Sequence, residues 1–259
     1  MALMEGTLRS PLLDYFRRGE APLDIRMLAA RGVLAPRAHE QLELLILLRN
    51  DADAEVSAAA EATLESIPAE ALGAFLARSD VGAELRSFFA ARGVPIGSAT
   101  AAATTDVPLI DTAPEPAAAV ENEDAQSTLQ RIAAMTVAQR IGLAMKGSRE
   151  ERAILIRDPN KIVAVAVLSS PKMTETEIES VAKMASISDE ILRIIANNRA
   201  WTKRYGVIVA LARNPKTPVA ISMNLLARLT DKDLRAISAD RNVPEVLRIT
   251  ARQKIVLNR

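Results

Sequence analysis

Tyr205-Gly-Val-Ile-Val-Ala-Leu-Ala-Arg-Asn-Pro-Lys-Thr-Pro-Val-Ala-Ile-Ser-Met-Asn-Leu-Leu-Ala-Arg-Leu229 restates, with variation, a stretch that lies 44 residues earlier. Val163-Ala-Val-Ala-Val-Leu-Ser-Ser-Pro-Lys172 aligns with Val207-Ile-Val-Ala-Leu-Ala-Arg-Asn-Pro-Lys216, and Val163, Val165, Ala166, Pro171 and Lys172 recur unchanged. A second echo, at a spacing of 55, sets Glu190-Ile-Leu-Arg-Ile-Ile-Ala196 over Glu245-Val-Leu-Arg-Ile-Thr-Ala251 with five of seven positions identical. Repeats of this length are groups of helices that cannot bury their apolar faces alone and therefore stack on their neighbours. The pattern predicts an all-α chain.

Around this stretch the helix starts are spelled out. Ser127 with Gln130, Thr136 with Gln139, Ser148 with Glu151 and Thr174 with Glu177 match the capping box, in which a hydroxyl takes an orphan N–H and the acid or amide reaches back. Thr217, Thr230 and Asn242 mark three more starts, so the helices are short, and residues 125–259 hold about three units of 44. Upstream, Pro11, Pro22, Pro36 and Pro68 each precede an apolar-periodic run, as prolines at the first helical position do. Asp53 is a natural N-cap for a helix carrying Val56, Ala60 and Leu64, and Gly93 a natural residue just past a helix end. Between these blocks, residues 94–124 carry Pro95, Pro108, Pro114 and Pro116, no Lys or Arg, and no sustained period. The expected organisation is an acidic helical domain over 1–93, a flexible acidic linker over 94–124 and a basic helical domain over 125–259. Val107-Pro-Leu-Ile-Asp111 within the linker reads as a sticky patch or as a short docking motif.

Composition narrows the chemistry. Hydrophobic residues at 49% with 25% charged describe a folded chain, and aromatics at 3% leave its core to Leu, Ile, Val, Ala and Met. The absence of cysteine removes disulfides, iron–sulfur clusters and thiol catalysis. His39 is the lone histidine, beside Glu40 and Glu43, and a single imidazole on a helix is no metal or acid–base set. No GxGxxG or GxxxxGK[ST] loop is present. The paired acids Glu150 and Glu151, and Asp231 and Asp233, fall in first helical turns, where the helix dipole favours them without catalysis. The chain is therefore expected not to be an enzyme, with no catalytic, cofactor-binding or metal-binding residue. No 18 uncharged apolar residues follow one another, so no membrane span is expected, and the location is read as cytoplasmic.

Leu211-Ala-Arg-Asn-Pro-Lys-Thr-Pro218 followed by Leu225, Leu226 and Leu229 resembles the leucine-rich repeat variant family, α-solenoids in which an Asn-Pro-x-Thr-Pro turn introduces the repeat's helix. The copy at Ser170-Pro-Lys172 keeps the proline and replaces Thr-Pro with Met173-Thr174. Asp51, Asp53, Val56, Ala59 and Leu64 are similar to one HEAT repeat, another helical-hairpin family. The chain as a whole resembles uncharacterised bacterial proteins of two helical-repeat halves around a variable linker. This resemblance implies two α-solenoid domains and no particular activity. One prototype of the leucine-rich repeat variant family carries an iron–sulfur cluster on cysteines, which this chain lacks.

Charge points to partners. Residues 1–124 hold 10 Lys/Arg against 20 Asp/Glu, and residues 125–259 hold 23 against 12. Lys172 and Lys216 occupy one repeat position, as do Arg149 and Arg193, and Arg199, Lys203, Arg204 and Arg213 surround Trp201 and Tyr205. These cations, with Trp201, are the candidate binding residues: Lys172, Arg193, Arg199, Trp201, Lys203, Arg204, Arg213 and Lys216. They suit an acidic protein surface, either a partner's, the chain's own N-terminal domain or a second copy. The expected function is a protein-interaction scaffold. Nucleic acid is the alternative, since spaced cations meet phosphates, although few rings are at hand for stacking on single strands.

Overall fold

Helices account for all the regular structure that the chain shows, with no strand among the described residues. The computed structural model describes residues 10–35, 37–97, 108–109 and 125–257, excepting the side chains of 125–127. It divides into two compact units, one of residues 1–152 with 160–171, the other of 153–159 with 172–259.

In unit 1 the N-terminal helices are α1 (Pro11–Arg17), α2 (Leu23–Ala30), α3 (Ala38–Leu48), α4 (Ala54–Ser66), α5 (Ala69–Leu76) and α6 (Ala83–Ala90). They are joined by α7 (Ala125–Ala134), α8 (Val137–Lys146), the first turn of α9 (Arg149–Leu155), and α10 (Lys161–Ser169). Leu12, Leu13, Ile25, Leu42, Leu45 and Leu76 are fully or almost fully buried and centre the core of α1–α5. Asp53 caps α4 by accepting from the Glu55 and Val56 N–H groups, and Gly93 takes φ +75° beyond the end of α6. Pro11 is the first residue of α1, but Pro22 and Pro68 are the N-caps of α2 and α5, one place earlier than expected. Pro36, Pro114, Pro116 and the cap at Ser127 lie outside the described residues.

The expected boundary at 94–124 does not divide the two units. Helix α10 is buried at every residue from Ile162 to Ser169, and a helix apolar on all sides needs neighbours on all sides. It packs on α8 and also on α1. There the Leu12 N–H, an orphan donor of a first turn that Ser10 does not cap, donates to Ser169 Oγ at 3.2 Å. Lys161 closes the same contact with an ion pair to Glu20 at 2.5 Å. A proline-rich stretch marks where the local pattern lapses; it is α10 that decides where the contacts lie.

Unit 2 contains α11 (Glu175–Lys183), α12 (Asp189–Asn197), a 3-10 turn (Trp201–Lys203), α13 (Tyr205–Arg213), α14 (Val219–Leu226), α15 (Asp231–Ala239) and α16 (Glu245–Leu257). The 44-residue spacing holds at the helix starts, since Lys161 and Glu175 open α10 and α11 where Tyr205 and Val219 open α13 and α14. It also holds at the ties between helices. Ser170 Oγ, just past α10, donates to the Met145 carbonyl of α8 at 2.9 Å. Asn214, just past α13, donates through Nδ2 to the Ala182 and Met184 carbonyls at the end of α11, at 2.8 and 3.0 Å.

The 55-residue echo is corrected by one. Ile178, Val181, Ile187, Ile191 and Ile195 match Leu234, Ile237, Val243, Leu247 and Ala251 in burial, all within 4% exposed, at a spacing of 56. One residue turns a helix by about 100°, so the matching letters at 55 put Ile191, which is 1% exposed, over Val246, which is 57% exposed. Burial, which follows the helix face, sets the register.

Candidate functional site

All eight candidate residues fall in unit 2, six of them in turns or at helix ends between α12 and α14. The α12–α13 connection is shaped by Asn198. Its side-chain oxygen accepts from the Ala200 N–H at 2.9 Å, and its carbonyl accepts from the Thr202 N–H and hydroxyl, both at 3.0 Å. This winds the chain into the 3-10 turn, which exposes Arg199 and Lys203 and leaves Trp201 half-buried. Neither Arg199 nor Lys203 has a side-chain partner among the described residues.

Arg204 behaves differently. Its guanidinium lies 2.8 Å from Glu175 and 3.6 Å from Glu179 on α11, and the hydrogen bond to Glu175 raises its pKa further. Glu179 in turn is held below the usual carboxylate range, first by the hydrogen bond from Lys183 and then by that cation's charge and Arg204's. Arg204 is thus tied to α11. Tyr205 is tied as well: its hydroxyl donates to Asp233 Oδ2 and accepts from the Thr230 N–H at 3.0 Å. What resembles a stacking ring in the sequence is a clamp between α13 and the start of α15.

The next connection starts at Asn214, whose Oδ1 accepts from the Lys216 N–H at 3.0 Å and sends the Lys216 side chain outward. Lys216 is exposed, and its ammonium has no partner among the described residues. Lys172 is exposed in the equivalent turn, just before α11. Arg193 on α12 lies 3.9 Å from Asp189, one turn back. Arg213 ends α13 and meets Asp240 at 3.3 Å.

Arg213 also borders a groove of about 600 Å³, lined by Lys183, Val209, Asn214, Asp240 and Asn242 among others. Three helix ends converge there: Lys183 is the last residue of α11, Arg213 the last of α13 and Asp240 the C-cap of α15. Cations in last turns complement the helix dipole, and that was the signal available for Lys183 in the sequence. Asp240 gave none and Asn242 only that of a helix start, because only the fold brings them across to α11. The groove combines the apolar Val209 and Ala210 with charges of both signs from Lys183, Arg213 and Asp240.

One acid of each pair joins the hydrogen bonds at its helix start. Ser148 and Glu151 exchange hydrogen bonds at 2.7 and 3.3 Å, and Asp233 donates its N–H to Thr230 Oγ1. Among the described residues no group of three His, Asp or Glu side chains is placed to hold a metal ion, and no helix is long and apolar enough to cross a membrane. Comparison with family models, with curated proteins and with solved structures yields no match to the chain.

Proposed function

We propose that the chain is a non-enzymatic interaction scaffold that receives an acidic segment of a partner protein on unit 2. The observation that carries this reading is the trio Arg199, Lys203 and Lys216, exposed on successive inter-helix turns without an acid partner among the described residues. Unit 2 as a whole holds 17 Lys/Arg against 10 Asp/Glu, so an incoming acid meets a net attractive field. Arg204 and Arg213 contribute less, because Glu175, Glu179 and Asp240 already engage them.

The fold that presents these turns is read as a solenoid of leucine-rich repeat variant or HEAT-like kind. In support, α11, α12 and α13 are followed by α14, α15 and α16 at similar spacing, and the first helix of each triplet packs on the third. Stacked repeats place equivalent turns along one edge, which would line up Lys172 with Lys216.

The test is a titration of the whole protein and of an Arg199→Glu/Lys203→Glu/Lys216→Glu variant with a labelled polyglutamate peptide and a mixed-sequence DNA duplex. Three surface charges at about 0.5 kcal/mol each predict about a tenfold weaker peptide affinity in the variant. Tighter binding of the duplex, falling by orders of magnitude between about 50 and 200 mM salt, would move the function to nucleic acid. Equal peptide binding by both proteins would remove the trio from any role.

A further inference from the structure

The Val107-Pro-Leu-Ile-Asp111 patch has no part in the reading above, yet its two described residues, Pro108 and Leu109, are half-buried. The Leu109 N–H donates to Gln41 Oε1 at 2.8 Å. Gln41, on α3, is only 1% exposed, and its Nε2 donates to the Gly32 carbonyl at 3.3 Å. That second bond fixes the amide plane and leaves the oxygen aimed at the visiting backbone. Proline supplies the complementary shape. It has no N–H of its own and holds the residue before it extended, so a Pro-Leu step offers one preformed donor to one fixed acceptor.

A second anchor lies upstream in the same stretch. The Gly97 N–H donates to the Gly73 carbonyl at 3.1 Å, and a Cβ on Gly73 would stand 2.6 Å from the Pro95 carbonyl oxygen. Gly73 is buried within α5, where glycine costs about 1 kcal/mol against alanine. The close passage of Pro95 is what requires it. Helices α3 and α5 are neighbours, with the His39 and Phe75 rings 6.4 Å apart. The two anchors therefore sit on adjacent elements of unit 1.

We propose that Gln41 forms the fixed acceptor of a binding site for an extended peptide in which proline precedes an apolar residue, that the chain's own residues 108–109 occupy it in cis, and that Gly73 lies outside this site and holds the same stretch upstream, at residues 95–97. A partner protein engages by offering a Pro-Leu segment in place of residues 108–109. The cis occupant acts at an effective concentration in the millimolar range, so a free peptide at micromolar concentration is excluded until residues 108–109 are displaced.

The experiment uses the full chain, a Pro108→Ser/Leu109→Ser variant, and a labelled peptide of sequence Asp-Val-Pro-Leu-Ile-Asp. The variant should bind the peptide at least about tenfold more tightly than the parent, and adding Gln41→Ala should take back about tenfold, the worth of one hydrogen bond to a buried amide. Peptide binding no better in the variant than in the parent overturns the proposal, as does binding indifferent to Gln41→Ala. Because Gln41 is buried and its loss can unsettle the fold, Gly73→Ala is measured alongside, with Gln41 intact. It should speed hydrogen exchange at the Gly97 amide and admit the peptide more readily than the parent. Unchanged exchange and unchanged binding in that variant also overturn the proposal.

Discussion

Asn214 shows how much a single side chain carries in this chain. It is 4% exposed, donates to the Ala182 and Met184 carbonyls, and accepts from the Lys216 N–H. It thereby joins the ends of α11 and α13 and shapes the turn that projects Lys216. Asn214→Ala leaves the buried Ala182 carbonyl and the part-buried Met184 carbonyl short of a donor, at about 1–3 kcal/mol for a buried group that loses its partner. Denaturant unfolding should show a loss of about 2–3 kcal/mol, and polyglutamate binding should weaken with it if the Lys216 turn matters. Ser222 makes the opposite case. It is fully buried on α14, and its hydroxyl has no partner among the described residues. Ser222→Ala should therefore be neutral or stabilising by about 1 kcal/mol in the same assay; a loss above that would mean that the hydroxyl is bonded in solution.

At the scale of the helix, the clamp between α13 and α15 makes stability depend on pH. Asp233 is held below the usual carboxylate range, first by the hydrogen bond from the Tyr205 hydroxyl and then by that from Thr230. A carboxyl whose pKa is lower folded than unfolded contributes its full stability above the unfolded value, near pH 4, and loses it as the pH falls through the folded one. Tyr205→Phe removes the largest cause, so thermal midpoints measured between about pH 3 and 6 should fall less steeply toward acid in the variant than in the parent. Parallel curves would place the acid sensitivity elsewhere. Helix starts of this kind were legible in the sequence. Thr136, Ser148 and Thr174 hold the expected capping boxes with Gln139, Glu151 and Glu177, because a cap is a local bond written within four residues. The clamp was not legible, since Tyr205 and Asp233 are distant in sequence and an aromatic ring among arginines reads equally well as a stacking platform. The spacing of 56 is hidden for a similar reason: identical letters recur at 55, and only the buried face of α16, Leu247 and Ala251, fixes the rotation.

At the scale of the whole molecule, charge and contact disagree about where the chain divides. The sequence splits at its linker into an acidic and a basic half, but 125–152 and 160–171, with six Lys/Arg and two Asp/Glu, belong to the same compact unit as the acidic helices. Reading charge along the chain could not reveal this, because the deciding feature is α10, whose run from Ile162 to Ser169 has no polar face to leave in water. One of its partners is α1, which brings the buried Leu12, Leu13 and Phe16, the bond from Leu12 to Ser169 and the Glu20–Lys161 ion pair. A fragment of residues 125–259 keeps α8 but strips that partner away. Exposing part of several aliphatic side chains, each worth about 1.5–3 kcal/mol when fully buried, is a large loss against a total stability of about 5–15 kcal/mol. The fragment should therefore bind a hydrophobic dye and self-associate on a sizing column, and co-expression with residues 1–97 should suppress both effects. If the fragment alone were monomeric, silent to the dye and cooperative in unfolding, α10 would not depend on α1, and the linker would be the boundary after all.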